Sequence, residues 1–297
     1  MAEVKVIDVS PKGFSGYISS FVVIDEKVAV IDPGPETSYA RLKDGLDELG
    51  VRPDLIFVTH VHLDHAGAAA HLLKDFEGPV VYAHPRGVPH IVDPSKLYAA
   101  SYEVTPLLPE TYGRPLNAEP SRVREAPDGL KVSLGQSSIR VIHTPGHASH
   151  HMSLLLEPDG VIFTGDSAGI IFNFKGLEVV MPTTPPPFKP KMYLEAIGRM
   201  EAVKPRLFAP THFGVHDDAM KWLSTARQQA VSWLEIVRTI GPERDLGTLE
   251  RAIAQREPAI ARLLDEQGDE QGSFAVRGFL DTTIMGLADA IKRGEWP

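Results

Sequence analysis

The segment FVTHVHLDHAG, at residues 57–67, places three histidines and one aspartate within six positions, directly after an apolar run. His60 and His62 are two residues apart, so in an extended segment their imidazole rings leave the backbone on the same side. Asp64 and His65 follow at once. Imidazole nitrogens and carboxylate oxygens are common ligands of divalent metal ions, which gives this crowding a chemical reason. The stretch alone predicts either a metal site or a solvated polar turn.

Three later segments each place one His or Asp directly after a β-like run, in a loop that contains glycine. These segments are TPGHA at 144–148, FTGDS at 163–167 and PTHFG at 210–214. Loops on a rigid β scaffold are frequent carriers of function, and glycine lets the backbone approach an ion closely. The segments contribute His147, Asp166 and His212 as further donors, and together they favour the metal site over the polar turn.

The ordered set H-x-H-x-D-H, T-P-G-H, F-T-G-D and T-H-x-G resembles the metallo-β-lactamase superfamily, over about residues 4–215. The resemblance implies an α/β (α+β) fold, the αββα four-layer sandwich, with two metal ions at one edge of the two sheets. The ligand set that it implies is His60, His62 and His147 for the first metal, Asp64, His65 and His212 for the second, and Asp166 as the bridge. Both ions would be divalent. Zinc is the first choice, and iron and manganese also suit imidazole and carboxylate ligands.

A pair of such ions is suited to hydrolysis. Two divalent ions roughly 3.5–4 Å apart can share a hydroxide, bind a substrate oxygen and stabilise the charge that develops during attack. Asp64 is the candidate catalytic residue, because it could orient that hydroxide by accepting a hydrogen bond or pass a proton to the leaving group. We therefore predict a dinuclear metal-dependent hydrolase that uses a metal-bridging hydroxide.

The choice of ligands narrows the branch of the superfamily. Antibiotic-hydrolysing members usually place a cysteine on the second metal, and this chain has no cysteine. Oxygen-reducing diiron members typically carry Glu where His62 stands. The set with His65 and Asp166 resembles the glyoxalase II, lactonase and phosphodiesterase branches, although His150 replaces a glycine of the glyoxalase II pattern and no glutathione-binding basic motif is found. We predict a small ester, thioester or lactone as substrate. A phosphodiester of a nucleotide or nucleic acid, and a non-catalytic metal-binding scaffold, are the alternatives.

The segment at 80–101 resembles a subgroup of archaeal and bacterial members without a settled substrate, through H-x5-H followed by D-P-x-K-L. Its two histidines, His84 and His90, could reach the metal cleft as substrate or supporting residues, or could serve packing and loop hydrogen bonds. His216 follows PTHFG and is a third candidate of this kind. Asp32, in IDPG, is interpreted as a turn-forming residue before Pro-Gly, although the resemblance marks it as a common element near the metals.

The elements that position these residues follow from the apolar pattern. Strands are predicted at 4–9, 17–25, 28–32, 55–58 and 80–83, and again from about 130 to 163. A partly helical excursion over the surface is predicted for residues 85–127. The proline-rich stretch MPTTPPPFKP at 181–190 is predicted to be a rigid connector, and a series of helices is predicted from about residue 217 onward. We predict a metallo-β-lactamase-like domain over 1–215 and a helical C-terminal extension over 216–297 that packs on it.

Composition and charge set the wider class. A chain of 297 residues with 43% hydrophobic content can bury a substantial core. A formal net charge of -9 argues against a nucleic-acid-binding surface. The start of the chain lacks the apolar run of a signal peptide, and no stretch approaches the roughly 20 apolar residues that cross a bilayer. We predict a cytoplasmic protein that acts on a small molecule, without nucleic-acid or membrane partners; its helical tail could cover the cleft, mediate a homodimer, or both.

Overall fold

Two six-stranded sheets form the centre of a computed structural model, which describes residues 2–104, 107–174, 176–265 and 271–296. The strands are β1 (Glu3–Asp8), β2 (Ser19–Ile24), β3 (Val28–Ile31), β4 (Leu55–Phe57), β5 (Val80–Ala83), β6 (Val123–Glu125), β7 (Lys131–Ser133), β8 (Ser138–His143), β9 (Met152–Glu157), β10 (Val161–Phe163), β11 (Ile170–Phe174), β12 (Leu177–Met181), β13 (Leu207–Ala209) and β14 (His216–Asp217). The strands β11 and β12 form a separate hairpin.

Helices cover the sheets and the connections between them. The α-helices are α1 (Tyr39–Leu49), α2 (Leu63–Ala66), α3 (Ala69–Asp75), α4 (Val88–Val92), α5 (Ser95–Val104), α6 (Leu107–Tyr112), α7 (Pro190–Ala202), α8 (Ala219–Ile240), α9 (Leu246–Ala254), α10 (Pro258–Asp265) and α11 (Gln271–Lys292). Short 3-10 helices lie at Glu36–Ser38 and Pro120–Arg122. Within the described ranges, none of the helices is both long enough and apolar enough to span a membrane.

The first sheet has the strand order β1-β2-β3-β4-β5-β6. Its first three strands are antiparallel neighbours, and β3 to β6 run parallel, with Ile31 of β3 beside Phe57 of β4. Because β3 and β4 are parallel, the loops that follow them open at the same edge of the sheet. Strand β6 lies inside the 85–127 segment, where the sequence predicted only a partly helical excursion, and it joins this sheet through β5.

The second sheet has the order β14-β13-β10-β9-β8-β7. Strands β7 to β10 pair antiparallel, and β10 pairs parallel with β13, so the loops after β10 and β13 also share one edge. The predicted boundary at residue 215 falls directly before β14, which pairs with β13 and therefore extends this sheet to Asp217. The division into 1–215 and 216–297 stays a prediction.

Three apolar clusters separate four layers. Alternate residues of single strands face different clusters, as period-2 geometry requires: Phe21 of β2 lies in the cluster between the sheets, while Val22 packs outward on the first helix layer. In the second sheet, Leu154 of β9 faces inward and Leu155 faces outward. The outward cluster of the second sheet also contains buried residues of α7 to α11. The fold is thus the predicted αββα sandwich, and the C-terminal helices belong to its outer layer.

Candidate metal centre

The seven histidine and aspartate side chains predicted as metal ligands meet at the edge where the parallel strands of both sheets end. The segment after β4 turns into the four-residue helix α2, which carries Asp64 and His65. The loop after β8 carries His147, the loop after β10 carries Asp166, and the loop after β13 carries His212. Residues that are far apart in sequence therefore converge because the strands that precede them are neighbours in the two sheets.

Three histidines form the first group. The Nε2 atom of His60 lies 2.9 Å from Nδ1 of His62, and Nε2 of His147 lies 3.2 Å from the same Nδ1 atom. Four ligands placed tetrahedrally at 2.0–2.1 Å from a zinc ion are separated by about 3.3 Å, which is close to these spacings. The geometry of the group therefore fits one divalent ion.

The second group consists of Asp64, His65 and His212, whose ligand atoms lie within 4.8 Å of one another. The Oδ2 atom of Asp64 is 3.4 Å from Nε2 of His212 and 3.8 Å from Nε2 of His65. Both Nε2 atoms are buried and have no hydrogen-bond partner among the residues that the structure describes. A buried polar atom left unsatisfied costs about 1–3 kcal/mol. A metal ion bound between these atoms would remove that cost, so the residues present fit a second ion.

Asp166 lies between the two groups. Its Oδ1 atom is 3.3 Å from Nε2 of His65 and 3.9 Å from Nε2 of His212, whereas Oδ2 is 3.6 Å from Nε2 of His147. The Oδ1 atom is also buried, and within the described ranges it has no hydrogen-bond partner. One carboxylate thus presents one oxygen to each group, which is the arrangement that a bridging ligand requires.

Burial sets the protonation of the first group. It lowers the pKa of His60 and His62 well below 6.5, and neighbouring histidines lower these pKa values further. For Asp166, burial raises the pKa, but the charges of His65 and His147 outweigh that effect and the pKa is lowered overall. Neutral imidazoles and an ionised carboxylate are the forms that bind metal. Burial therefore favours the neutral, metal-binding form of His60 and His62, and Asp166 stays ionised.

The ring nitrogens that face away from the centre are held by hydrogen bonds. The Nδ1 atom of His147 donates to the carbonyl of Thr183 over 3.0 Å, and Nδ1 of His212 donates to the carbonyl of Tyr17 over 2.9 Å. Such bonds fix the tautomer and the ring orientation of a metal ligand. In both rings Nε2 is consequently the atom that is free to bind an ion.

Asp32 has a larger role than the turn that the sequence suggested. Its carboxylate is fully buried and accepts hydrogen bonds from the backbone N–H and hydroxyl of Thr59, both 2.7 Å away, and from the hydroxyl of Thr211 at 2.6 Å. It also accepts one from Nδ1 of His65 over 2.8 Å. Asp32 has a φ of 48°, so it does form a sharp turn as well. Its side chain links the loops of both sheets and orients His65.

Glycines allow two of the loops to pack closely. Gly146, next to His147, has a φ of 143°, and a Cβ atom there would lie 2.5 Å from the Cα atom of Tyr193 in α7. Gly165, next to Asp166, has a φ of 49°, and its Cβ atom would lie 2.5 Å from the hydroxyl oxygen of Thr59. The sequence predicted that both glycines let the backbone approach an ion, and the structure shows that they let the two loops pack against Tyr193 and Thr59.

Aromatic residues from three distant segments line the second group. The ring of Tyr17 lies 5.1 Å from the ring of His212, and the ring of Phe279 in α11 lies 5.4 Å from it. Tyr17 and Tyr112 are both buried, and burial raises the pKa of both tyrosines well above 10.0. Tyr112 belongs to α6 in the 85–127 segment. Sequence reasoning missed these residues, because no local pattern marks them.

The remaining predicted site residues lie outside the two groups. His84 packs on His143, with ring centroids 4.1 Å apart, and His90 is half-buried with its ring 6.3 Å from that of His150. His216 donates to the carbonyl of Phe213 over 2.8 Å and packs on the ring of Trp222. The contacts of His216 are thus a local hydrogen bond and a ring contact. The ring of His150 lies 5.7 Å from that of His62, so His150 connects His90 to the first group.

His151 supports the centre from a position that the sequence did not single out clearly. In the structure its Nε2 atom accepts a hydrogen bond from the backbone N–H of Asp166 over 3.1 Å, and its Nδ1 atom lies 2.9 Å from the hydroxyl of Thr144. His151 therefore holds the loop of Asp166.

Comparison with known proteins gives the family. The model of the metallo-beta-lactamase superfamily matches residues 14–212. A metallo-beta-lactamase fold-containing protein of Sulfurisphaera tokodaii is 34% identical over 214 residues, which are 70% of this chain and 77% of that protein. The chain belongs to the metallo-β-lactamase superfamily.

Two further similar proteins are relevant, one to the C-terminal helices and one to the proposed function. The crystal structure of an archaeal metallo-beta-lactamase superfamily protein from Sulfolobus tokodaii aligns with a TM-score of 0.73 at 27% identity, covering 97% of this chain and 98% of that one. The likeness therefore includes most of the C-terminal helices, which lie beyond the family match. A hydroxyacylglutathione hydrolase of Haemophilus influenzae is 31% identical over 151 residues, which are 50% of this chain and 64% of that protein.

Proposed function

We propose that this chain is a hydrolase that binds two divalent metal ions and cleaves a small ester, thioester or lactone. His60, His62 and His147 would hold the first ion, and Asp64, His65 and His212 the second, with Asp166 between them. The observation that carries this proposal is the set of buried, unpartnered atoms that face one another, namely Nε2 of His65, Nε2 of His212 and Oδ1 of Asp166. Zinc is the proposed metal, and iron and manganese fit the same donors.

When bound, such ions lower the pKa of water and polarise a substrate carbonyl. The contribution of the chain is to orient the attacking water and to transfer a proton. Asp64 is buried except for 7% of its surface, and its Oδ2 atom faces both His65 and His212. A carboxylate in this position can orient an attacking water by accepting its hydrogen bond, and can then deliver a proton to the leaving group. Asp64 is therefore the proposed catalytic residue.

The surroundings support an acyl substrate. Tyr17 and Phe279 place aromatic rings beside His212, which makes the surroundings of the second group apolar and suits an uncharged acyl group. The likeness to a hydroxyacylglutathione hydrolase over half of the chain supports thioester hydrolysis in the same direction. Phosphodiester hydrolysis and a non-catalytic metal-binding role are the outcomes against which the proposal is tested.

The test uses purified protein loaded separately with Zn²⁺, Mn²⁺ or Fe²⁺. Hydrolysis of p-nitrophenyl acetate, of γ- and δ-lactones and of S-lactoylglutathione is measured beside bis-p-nitrophenyl phosphate. We expect turnover of at least one acyl substrate, and its loss in Asp64→Asn and His62→Ala. A preference for the phosphodiester would reverse the order of the two enzyme functions. Metal binding without turnover of any substrate would favour the scaffold.

A further inference from the structure

The loop Pro182–Thr184, which follows β12, contacts two of the proposed metal ligands. The carbonyl of Thr183 accepts the hydrogen bond from Nδ1 of His147 over 3.0 Å, and the hydroxyl of Thr183 donates to the backbone carbonyl of Asp166 over 2.8 Å. Thr183 is itself buried, with 1% of its surface exposed. The orientation of one ligand of the first group and of the bridging residue therefore depends on where this loop lies.

The same loop is held from its other side by the C-terminal helix α11. The hydroxyl of Thr283 donates to the carbonyl of Pro182 over 3.0 Å, and the hydroxyl of Thr184 donates to the carbonyl of Thr283 over 2.9 Å. Both threonines are buried. These two bonds fasten the residues immediately before and after Thr183 to one residue of α11.

A glycine makes this contact between helix and loop sterically feasible. A Cβ atom built on Gly286 of α11 would lie 1.5 Å from the carbonyl oxygen of Thr184 and 2.7 Å from its carbonyl carbon. Both are backbone atoms, so a side chain at Gly286 would push the helix and the loop apart. The prolines that follow Thr184, in the PTTPPP stretch, restrict the backbone and leave the loop little freedom to absorb such a shift.

We propose that α11 is a positioning element of the metal centre, which acts through Thr283, Gly286 and the loop Pro182–Thr184 on His147 and Asp166. Residues that orient metal ligands through hydrogen bonds commonly change metal affinity by 10–100-fold when they are lost. The inference rests on the proposed function, because it assumes that His147 and Asp166 bind metal. It assigns a role in the metal centre to the C-terminal helix α11, which lies beyond the family match that ends at residue 212.

The experiment measures Zn²⁺ affinity of the full-length protein by competition with a chromophoric chelator, under conditions where circular dichroism shows each variant to be folded. Thr283→Val and Thr184→Val remove one hydroxyl each, and we expect about 10-fold weaker Zn²⁺ binding. Thr283→Ser keeps the hydroxyl and should restore the affinity. Thr282→Val is the matched control, because the hydroxyl of Thr282 donates only to Gly278 within α11, over 2.7 Å, and its affinity should equal that of the wild type.

Gly286→Ala should weaken Zn²⁺ binding more than either threonine variant, and the threonine series carries the test if the alanine variant does not fold. Equal affinities in the wild type, Thr283→Val and Thr184→Val would overturn this inference and leave the proposed function standing. Equal losses in Thr283→Val and Thr282→Val would also overturn it, because they would indicate a general weakening of the helix. A wild-type protein that binds no metal would overturn both proposals.

Discussion

The Nδ1 atom of His65 lies 2.8 Å from the Oδ2 atom of Asp32, and neither side chain exposes any surface. The same oxygen accepts hydrogen bonds from the hydroxyls of Thr59 and Thr211. Each of these threonines directly precedes a proposed metal ligand in the sequence. One carboxylate oxygen thus joins a loop after β4 to a loop after β13, across the two sheets. The orientation of His65 is set by this junction rather than by the short helix that carries it.

Asp32→Asn should lower both stability and metal binding. Both oxygens of the Asp32 carboxylate accept hydrogen bonds. In asparagine one of them is replaced by an NH2 group, which is a donor and would face N–H or O–H donors that need an acceptor. We expect a loss of about 2 kcal/mol or more in the free energy of unfolding of the metal-free protein. The metal content should also fall, most at the second group. Urea unfolding and elemental analysis measure the two effects, and a variant with wild-type stability would show that the junction is dispensable.

Gly146→Ala should disrupt the first group. The added methyl would meet the backbone of α7 at Tyr193, so His147 must shift away from His60 and His62. The matched control is Gly129→Ala, because Gly129 also has a positive φ, of 80°, but a Cβ atom there meets no atom within 4 Å. We expect the control to lose stability of about 1 kcal/mol while keeping its metal. Equal metal content in both variants would contradict the steric argument.

Metal removal should lower the thermal stability. An ion that binds only the folded state adds about 4 kcal/mol when its free concentration is 1,000 times the dissociation constant. Calorimetry with and without EDTA should therefore show a lower Tm in the chelator. The control is a His147→Ala, His212→Ala double variant, in which EDTA should leave the Tm unchanged. If neither EDTA nor added Zn²⁺ changes the Tm of the wild type, the prediction of a metal site that is coupled to folding is wrong.

His84→Gln should flatten the dependence of stability on pH. Burial, together with His143 and Arg86, lowers the pKa of His84 from 6.5 to about 4 in the folded protein. Between pH 6.5 and 4 the unfolded chain binds a proton that the folded chain does not, so His84 destabilises the fold as the pH falls. Replacing His84 by glutamine should reduce the number of protons that are taken up on unfolding by up to one. Urea unfolding at several pH values in EDTA measures this, and parallel curves for both proteins would refute it.

Tyr112→Phe tests whether the 85–127 segment is tied to the centre. The variant removes a buried hydroxyl that interacts with Tyr17, and we expect a loss of about 1 kcal/mol in the free energy of unfolding. Tyr102→Phe is the control, since Tyr102 is 44% exposed and its hydroxyl lies 3.3 Å from that of Tyr98 at the surface. Water replaces that bond, so the control should be unchanged. Similar losses in both variants would show that the buried hydroxyl of Tyr112 contributes no more to stability than an exposed one.

Much of the centre could be predicted from the sequence, because its donors lie in short segments that each follow an apolar strand. His60, His62, Asp64 and His65 lie within six consecutive positions, and their order relative to the later motifs is itself the family pattern. The sandwich was implied by the resemblance to the family, whereas the alternation of apolar residues within a strand separates the two faces of that strand and only permits such a fold.

What only the tertiary structure decided are the contacts between residues that no local pattern relates. Asp32 and Thr211 are 179 positions apart, and the bonds that fasten the loop Pro182–Thr184 to Thr283 span about 100 positions. A hydroxyl or carboxylate at such a residue looks like any other polar side chain in the sequence. Its role depends on which loops the paired strands and packed helices bring within hydrogen-bond distance. For this reason the sequence determined which residues are the proposed ligands, and the three-dimensional arrangement determined what orients them.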